Sequence, residues 1–269
     1  MTTDRIFTVE NVTLRFGGVV SLNDVNLFQN RGEILAVIGP NGAGKTSLFN
    51  SLTGVYQPQE GEITFMGRDA KPMSIIGRKA HRVSSAGVAR TFQASRMFSA
   101  LTAFENVKIG AESHKGFGVV GAMLKGPRTR RNEKESDATT IRLMDFVGLR
   151  QKANVIAASL SYGDRRRLEI ARGLATNPEV LLLDEPAAGT NPAEKLGLAT
   201  LIRRVRDEMG VSILLIEHDM KLVMSLAERL YVLNFGSVIA DGTPAEIRAN
   251  PAVIEAYLGS SADETEELA

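Results

Sequence analysis

The sequence predicts an α/β fold with a parallel β-sheet at its centre, and three short apolar runs carry that prediction. The runs are Ile34–Ile38, Val180–Leu183 and Ile213–Ile216. Nearly continuous apolar segments of this length are typical of parallel strands that are buried on both faces. Each run is followed at once by glycines or by charged residues. Because ligands of open α/β sheets bind beyond the carboxyl ends of the strands, we expect these three strand ends to form one site.

The segments outside these runs predict two further parts of the fold. Near the N-terminus, Phe7–Phe16 and Val25–Gln29 alternate apolar with polar residues and are predicted as strands. Between about Thr102 and Ala175 the pattern is helical, so we expect a helical lobe inserted into the α/β core. We also predict a capping box at Thr102–Glu105, a helix over Glu133–Val147, helix starts at Ser161 and Asn191, a mobile loop over Lys115–Arg131 and a disordered acidic tail over Ser260–Ala269.

Composition and charge exclude several functional classes. The chain has 269 residues, of which 43% are hydrophobic and 23% charged, as expected of a globular protein. The net charge of +1 is small for a protein whose main role is to wrap nucleic acid. The absence of cysteine excludes disulfides and cysteine metal sites. No apolar run is long enough to span a membrane and the N-terminal segment lacks the apolar core of a secretory signal, so we expect a cytoplasmic protein.

A phosphate-binding loop is predicted directly after the first apolar run. Residues Gly39–Thr46 match the pattern G-x-x-x-x-G-K-[ST] without a mismatch, between a predicted strand and a predicted helix. Glycines let successive backbone N–H groups face an anion, and a helix N-terminus adds partial positive charge. We expect Lys45 to contact the β- and γ-phosphates and the Thr46 hydroxyl to bind Mg²⁺. The alternative is a glycine-rich turn between strand and helix that binds nothing.

An acidic pair ends the second apolar run. Asp184 stands where a carboxylate can hold Mg²⁺ through water, as the acid of a Walker B strand does. Glu185 is the next residue and can orient an attacking water or accept its proton. Taken alone, the pair is equally consistent with an ordinary exit from a strand into a loop. Beside a phosphate loop, it predicts the metal and water side of a nucleotide-hydrolysing site.

The segment Leu160-Ser-Tyr-Gly163 separates this sequence from kinases and GTPases. It precedes Asp184 and resembles the LSGGQ signature of ATP-binding cassette (ABC) proteins. Together with the phosphate loop and the acidic pair, it identifies the chain as a member of the ABC ATPase family over residues 5–258. The resemblance implies a P-loop core with a mixed β-sheet, an antiparallel β subdomain and an inserted α-helical lobe. It implies the ATP-binding core at residues 1–93 and 176–259, the helical signature subdomain at 94–175 and the tail at 260–269.

The resemblance implies ATP and Mg²⁺ as ligands and assigns a role to each motif. Phe16 matches the aromatic that stacks on adenine, although an aromatic at a strand end is also a common core residue. Gln93 matches the Q-loop, His218 the switch histidine, and Ala188–Asn191 the D-loop. The implied nucleotide-binding residues are Phe16, Gly39, Pro40, Asn41, Gly42, Ala43, Gly44, Lys45, Thr46, Ser47, Ser161 and Gly163; the catalytic residues are Glu185, His218 and Gln93; the metal ligands are Thr46, Gln93 and Asp184.

Further segments resemble one branch of the family, the LivG-type subunits of branched-chain amino acid importers. They are Val88–Gln93, the run up to Arg172 after the signature, Glu185–Gly189, Glu217–Met220 and Ala256–Gly259. This resemblance implies a peripheral ATPase on the cytoplasmic face of the inner membrane. Its implied partners are two membrane-spanning permease subunits, a second cassette (a sister chain or another copy) and, indirectly, an external binding protein.

Two departures from the family pattern concern the dimer. Tyr162 and Asp164 replace the usual Gly and Gln of the signature but leave Ser161 and Gly163 in place. Asn191 stands where most cassettes have the Asp of the D-loop. The resemblance implies that this position affects how strongly the two sites of a dimer communicate.

Several alternatives to branched-chain amino acid import remain at the level of sequence. The chain also suits an importer of urea, amides or aromatic acids, because the cassette does not encode the substrate. A non-transport cassette that acts on a protein or nucleic-acid assembly is a second alternative. No nucleic-acid partner is expected, since the basic run Lys125–Lys134 lacks interleaved aromatic residues and is interpreted as a solvated loop. Arg90 and Arg96 flank Gln93, either lining the surface that receives the permease or simply solvated.

Overall fold

The computed structural model describes residues 4–91, 97–113 and 127–258. Its strands are β1 Arg5–Phe16, β2 Val19–Asn30, β3 Ile34–Ile38, β4 Glu60–Met66, β5 Pro72–Ser74, β6 Val88–Arg90, β7 Val180–Asp184, β8 Ser212–Ile216, β9 Arg229–Asn234 and β10 Ser237–Gly242. Its α-helices are α1 Lys45–Leu52, α2 Ala80–Ser85, α3 Ala103–Glu112, α4 Pro127–Phe146, α5 Tyr162–Ala175, α6 Pro192–Met209, α7 Met220–Leu226, α8 Pro244–Arg248 and α9 Pro251–Leu258. None of the helices in these ranges combines the length and the apolar character that crossing a membrane requires.

The central sheet has six strands in the order β10-β9-β3-β8-β7-β6. Strands β9, β3, β8, β7 and β6 are parallel, and β10 is antiparallel to β9. All five residues of each of β3, β7 and β8 are buried, which confirms the prediction from the three apolar runs. Because these strands are adjacent and parallel, their carboxyl ends lie at one edge of the sheet.

A second sheet is antiparallel and has the order β2-β1-β4-β5. Its apolar residues pack with α1 and with one face of the central sheet in a single buried cluster. Strand β2 begins at Val19, earlier than the predicted start at Val25. The reason is a two-residue hairpin turn, Gly17-Gly18, which pairs Phe16 directly with Val19. Ser21 of β2 in this sheet lies against Gly44, in the loop that follows β3.

The helical part of the chain packs as one group on the other face of the central sheet. Helix α3 contacts both α4 and α5, and its capping box at Thr102 and Glu105 is formed as predicted. Val107 of α3 and Leu168 of α5 belong to the same buried cluster as Leu183 of β7. The helical lobe therefore shares a continuous core with the sheet, and the boundary at residues 94–175 stays a prediction.

Helix α4 begins at Pro127, inside the segment predicted as a mobile loop. Proline suits the first turn of a helix, and arginine and lysine have good helix propensity. An ion pair four residues apart, Arg131 with Glu135 at 3.1 Å, adds support. The loop prediction is therefore wrong for residues 127–131, and the basic run is helical from 127 onward. Residues 115–126 and 260–269, which carry the rest of that prediction and the predicted tail, lie outside the described residues.

Candidate active site

The loop between β3 and α1 follows a path that only glycine tolerates at two positions. Gly39 has φ of 147° and Gly44 has φ of 103°. A Cβ atom on Gly39 would overlap the carbonyl group of Leu233, and one on Gly44 would lie 2.6 Å from the carbonyl oxygen of Ser21. A side chain at either position would push the loop away from the neighbouring strands. Gly39 and Gly44 are therefore required by the path of the backbone and by the strands beside it.

Lys45 is the first residue of α1, and its ammonium group lies over this loop. Its Nζ donates hydrogen bonds to the carbonyl oxygens of Gly39, at 2.5 Å, and Pro40, at 2.9 Å. The N-cap of α1 is Gly44, which offers no side-chain acceptor to the first-turn N–H groups. Thr46, the residue after Lys45, is exposed. An ammonium group, backbone N–H donors and a hydroxyl group form a donor set that fits a phosphate chain.

Pairing of the strands brings the other predicted groups to the same edge. In the parallel register, Val37 of β3 is opposite Ile216 of β8, and Ile216 is opposite Asp184 of β7. The segments that follow these residues contain the phosphate loop, Glu185 and His218. The structure thus brings together the three functional clusters that the sequence places after its apolar runs.

Asp184 is buried and forms an ion pair with Arg90. The Nη2 atom of Arg90 donates to Oδ2 of Asp184 at 2.6 Å, and its Nη1 atom donates to Oδ1 of Asn50 in α1 at 2.6 Å. The two paired side chains are 8% and 2% exposed. Both predictions for Arg90, a permease-facing or a solvated side chain, are therefore wrong. Its guanidinium instead connects β6 with β7 and α1, because β6 pairs with β7 in parallel.

Glu185 has a backbone conformation that is uncommon for a residue with a side chain. Its φ is 46°, and its N–H donates to the carbonyl oxygen of Ile216 at 2.9 Å. The Nδ1 atom of His218 lies 3.9 Å from Oε1 of Glu185, and the His218 side chain is 62% exposed. Strained residues of this kind cluster at functional sites. One water can bridge the two groups at this distance, which is compatible with an acid–base role.

Glu217 is a functional candidate that the sequence analysis did not single out. Its side chain is fully buried, and its Oε1 accepts a hydrogen bond from the N–H of Ala187 at 2.7 Å. Burial raises the pKa of the Glu217 carboxyl, while the N–H groups of Ala187, Asp219 and His218 and the charge of a protonated His218 act in the opposite sense. The available signal is a carboxyl residue between the apolar run Ile213–Ile216 and His218.

Asp219, the residue after His218, connects the start of α7 to α6. Its side chain caps α7 by accepting from the N–H of Leu222 at 3.0 Å, and it forms an ion pair with Lys195 of α6. Burial tends to raise the pKa of Asp219, but the hydrogen bonds from Lys195 and Leu222 outweigh it, so the pKa is lowered. His218 is therefore flanked in the chain by two carboxyl residues. Glu217 is bonded to Ala187, and Asp219 is bonded to Lys195 of α6.

The signature segment packs against the same chain's D-loop. The Ser161 hydroxyl accepts from the N–H of Asp164 at 3.2 Å and so caps α5. The ring of Tyr162 lies over Gly189, and the carboxyl group of Glu194 lies directly above Gly163. The Asp164 side chain, the second departure in this motif, is held by an ion pair with Lys152.

Asn191, the departure in the D-loop, has a defined structural role. Its side chain accepts from the N–H of Glu194 at 2.9 Å, and Glu194 accepts from the N–H of Asn191 at 3.0 Å. This capping box starts α6, with Pro192 at the first helical position, as the sequence predicts. Asparagine and aspartate are comparable N-caps, so the substitution keeps the start of the helix.

One predicted nucleotide contact is an exposed aromatic ring at the end of β1. Phe16 ends β1, is 46% exposed and contacts Tyr56 edge to face, with ring centroids 5.0 Å apart. This exposure leaves the ring available for stacking and contradicts a core role. Gln93 and Arg96 lie outside the described residues. Ser47, another predicted nucleotide contact, accepts a hydrogen bond from the Ser21 hydroxyl at 2.7 Å.

Strand β3, the glycine loop, helix α1 and the acids at the end of β7 together define the P-loop class of nucleotide-binding proteins. Within that class, the chain belongs to the ABC transporter family, whose model matches residues 22–188. A second model, described as branched-chain amino acid ATP-binding cassette transporter, matches residues 237–263. The resemblance drawn from the motifs is thus confirmed at the level of the family.

Whole-length comparisons agree with both matches. Over 256 residues the chain is 46% identical to the high-affinity branched-chain amino acid transport ATP-binding protein BraF of Pseudomonas aeruginosa and 45% identical to LivG of Escherichia coli K12. Each alignment covers 95% of this chain and 98% of the relative. The crystal structure of an ATP-binding cassette of an ABC transporter in its ADP conformation superimposes with a TM-score of 0.81 at 28% identity, covering 95% of this chain and 99% of the other. The predicted ABC ATPase fold is confirmed.

Proposed function

We propose that this chain is the ATP-hydrolysing subunit of an importer for branched-chain amino acids. The observation that carries the proposal is the convergence of Lys45, Asp184, Glu185 and His218 at one edge of the sheet. The similarity along 95% of the chain to two branched-chain amino acid transport ATP-binding proteins supports the substrate class.

The phosphate loop supplies the binding energy for the nucleotide. Lys45 exchanges its two carbonyl partners for the phosphate oxygens, and the N–H groups of residues 41–47 surround them. The Thr46 hydroxyl and the Asp184 carboxylate are oxygen ligands of the kind that Mg²⁺ takes, with Gln93 as a third predicted ligand. Mg²⁺, when bound, neutralises charge on the phosphates. Phe16 offers its exposed ring to the adenine base.

Hydrolysis then needs one oriented water. Glu185 accepts a proton from this water as its oxygen bonds to the γ-phosphorus, and the bond from that phosphorus to the bridging β–γ oxygen breaks. The products are ADP and phosphate. His218, whose Nδ1 lies 3.9 Å from Oε1 of Glu185, donates a hydrogen bond to the γ-phosphate, and this bond is lost when the phosphate leaves.

A second cassette completes the site. Ser161 and Gly163 of one chain face the γ-phosphate held by Lys45 and Thr46 of the other, so that two ATP molecules lie between two chains. ATP then binds the closed dimer more tightly than the open one, which is the condition for a ligand-driven switch. Loss of the γ-phosphate removes the bridge and lets the dimer open. The helical lobe carries this motion to the permease subunits.

Substitution of Ser161 by Ala tests whether Ser161 contacts the γ-phosphate in addition to capping α5. Thr102→Ala is the matched control, because each residue caps a helix by accepting an N–H hydrogen bond and only Ser161 is assigned to the nucleotide. Each variant is expected to lose about 1 kcal/mol of stability. Only Ser161→Ala is expected to lower ATP turnover of the transporter. The expected decrease is about tenfold, because the variant loses one hydrogen bond to a charged group. Equal turnover in both variants would contradict the assignment.

The partners follow from the same proposal. They are two membrane-spanning permease subunits, a second cassette (a sister chain or another copy) and, indirectly, an external binding protein. The chain then lies on the cytoplasmic face of the membrane. The similarity to BraF and LivG, which are ATP-binding proteins of branched-chain amino acid transport, supports this assembly.

Purification from detergent-solubilised membranes with trapped ATP, followed by reconstitution into vesicles, tests the function. We expect permease subunits to co-purify and ATP to drive uptake of labelled leucine, isoleucine or valine. ATP-driven uptake of urea, an amide or an aromatic acid alone would keep the ATPase and overturn the substrate class. Co-purification with ribosomes or nucleic acid, without permease subunits, would contradict transport.

A further inference from the structure

One fully buried carboxyl group beside the reaction site has no part in the proposed chemistry. Glu217 follows β8 and precedes His218. Its Oε1 accepts from the N–H of Ala187 at 2.7 Å, and its Oε2 accepts from the N–H groups of His218 at 3.1 Å and Asp219 at 3.4 Å. These three donors are backbone groups, and they belong to two different segments of the chain.

The first segment contains Glu185. Its N–H is bonded to β8 through Ile216, and the next residue, Pro186, has no N–H to donate. The N–H of Ala187 is therefore the next backbone donor after Glu185, and Glu217 accepts it. Two hydrogen bonds to β8 and its end, on either side of Pro186, thus hold the turn in which Glu185 has its positive φ.

The second segment contains His218. By accepting from the N–H groups of His218 and Asp219, the same carboxyl group fixes the chain where it leaves β8. The 3.9 Å separation of His218 Nδ1 and Glu185 Oε1 therefore depends on one side chain that reaches both backbones. Because Ala187 directly precedes the D-loop, the contact of Glu217 with Ala187 also connects Glu217 to this loop, which leads through Asn191 into α6.

We propose that Glu217 is a positioning residue for ATP hydrolysis, which holds Glu185 and His218 in register and links both to the D-loop. This inference rests on the proposed function. A carboxylate suits the position because both of its oxygens accept hydrogen bonds. A glutamine of the same shape would place an NH₂ group against one of the N–H donors, and an aspartate is too short to reach both segments.

Steady-state ATPase assays of the complete transporter, purified with its native partners, test the proposal. Glu217→Gln and Glu217→Asp are compared with Glu33→Gln. Glu33 is the control, because it is also a buried glutamate that accepts a backbone N–H, from Asn30 at 2.7 Å, but it precedes β3 at the opposite edge of the sheet. Glu33 also forms an ion pair with Arg229, so Glu33→Gln is expected to destabilise the fold without touching the reaction site. We expect both Glu217 variants to lower kcat about tenfold while KM for ATP stays within about twofold of the wild type. Glu33→Gln is expected to change neither parameter by more than about twofold.

Thermal unfolding of the three variants distinguishes positioning from folding. A Glu217 variant that unfolds near the temperature of Glu33→Gln and still loses kcat supports the proposal. An unchanged kcat in both Glu217 variants overturns it, and so does an equal loss of kcat in Glu33→Gln. Failure of both Glu217 variants to fold also overturns it, because the carboxyl group would then serve the fold. A wild-type complex that does not hydrolyse ATP would overturn the proposed function itself, and this inference with it.

Discussion

Replacing Glu185 with Gln is expected to lower ATP turnover by a factor of about 10²–10⁴, the usual contribution of a positioned general base. The amide keeps the shape of the side chain and its place 3.9 Å from His218, but it does not take a proton from water. The phosphate loop is untouched, so Mg²⁺-ATP still binds. Phosphate release by the complete transporter measures the first effect, and titration with a fluorescent ATP analogue measures the second.

Glu179→Gln is the control for this variant. Glu179 directly precedes β7 and Glu185 directly follows it, so the same chemical change is made at the two ends of one strand. Glu179 forms ion pairs with Arg31 and Arg68 and is expected to affect stability without affecting turnover. Undiminished hydrolysis in Glu185→Gln would remove Glu185 from the role of general base.

Replacing Lys45 with Ala is expected to weaken ATP binding by about one to two powers of ten, since a hydrogen bond to a charged group contributes about 1.5–3 kcal/mol. The variant loses the only side-chain cation of the motif, and the carbonyl oxygens of Gly39 and Pro40 lose their ammonium partner. Isothermal titration with Mg²⁺-ATP measures the change in affinity.

Lys71→Ala is the matched control, because it removes the same charge from an exposed position outside the loop. Its affinity for ATP is expected to equal that of the wild type. Thermal unfolding of both variants shows whether Lys45→Ala also loosens the loop. Wild-type affinity in Lys45→Ala would contradict the assignment of this lysine to the phosphates.

Those parts of the fold and site that depend on local sequence could be predicted. The three buried strands are recognisable as short apolar runs. Because both faces of these strands are buried, their sequences lack the alternation of apolar and polar residues seen in half-exposed strands. The caps at Ser161 and Asn191 are also local, because each side chain bonds to an N–H three residues away. The phosphate loop is recognisable because its backbone path requires glycine at fixed positions.

The features that the sequence did not reveal depend on contacts between distant segments. Arg90 meets Asp184 only because β6 pairs with β7, and nothing in the neighbourhood of Arg90 indicates that partner. The bond between Glu217 and Ala187 likewise joins residues from two strand ends. The start of α4 was missed for a different reason: its basic residues suit a solvated loop and a solvated helix equally well.

The central claim is that the edge formed by β3, β7 and β8 binds ATP with Mg²⁺ and hydrolyses it. Equilibrium dialysis of the full chain, alone and in complex with its membrane partners, against labelled ATP with and without Mg²⁺ tests this claim most directly. We predict saturable binding of one ATP per chain that Lys45→Ala weakens and Lys71→Ala does not. Absence of saturable binding in both the isolated chain and the complex would contradict the account.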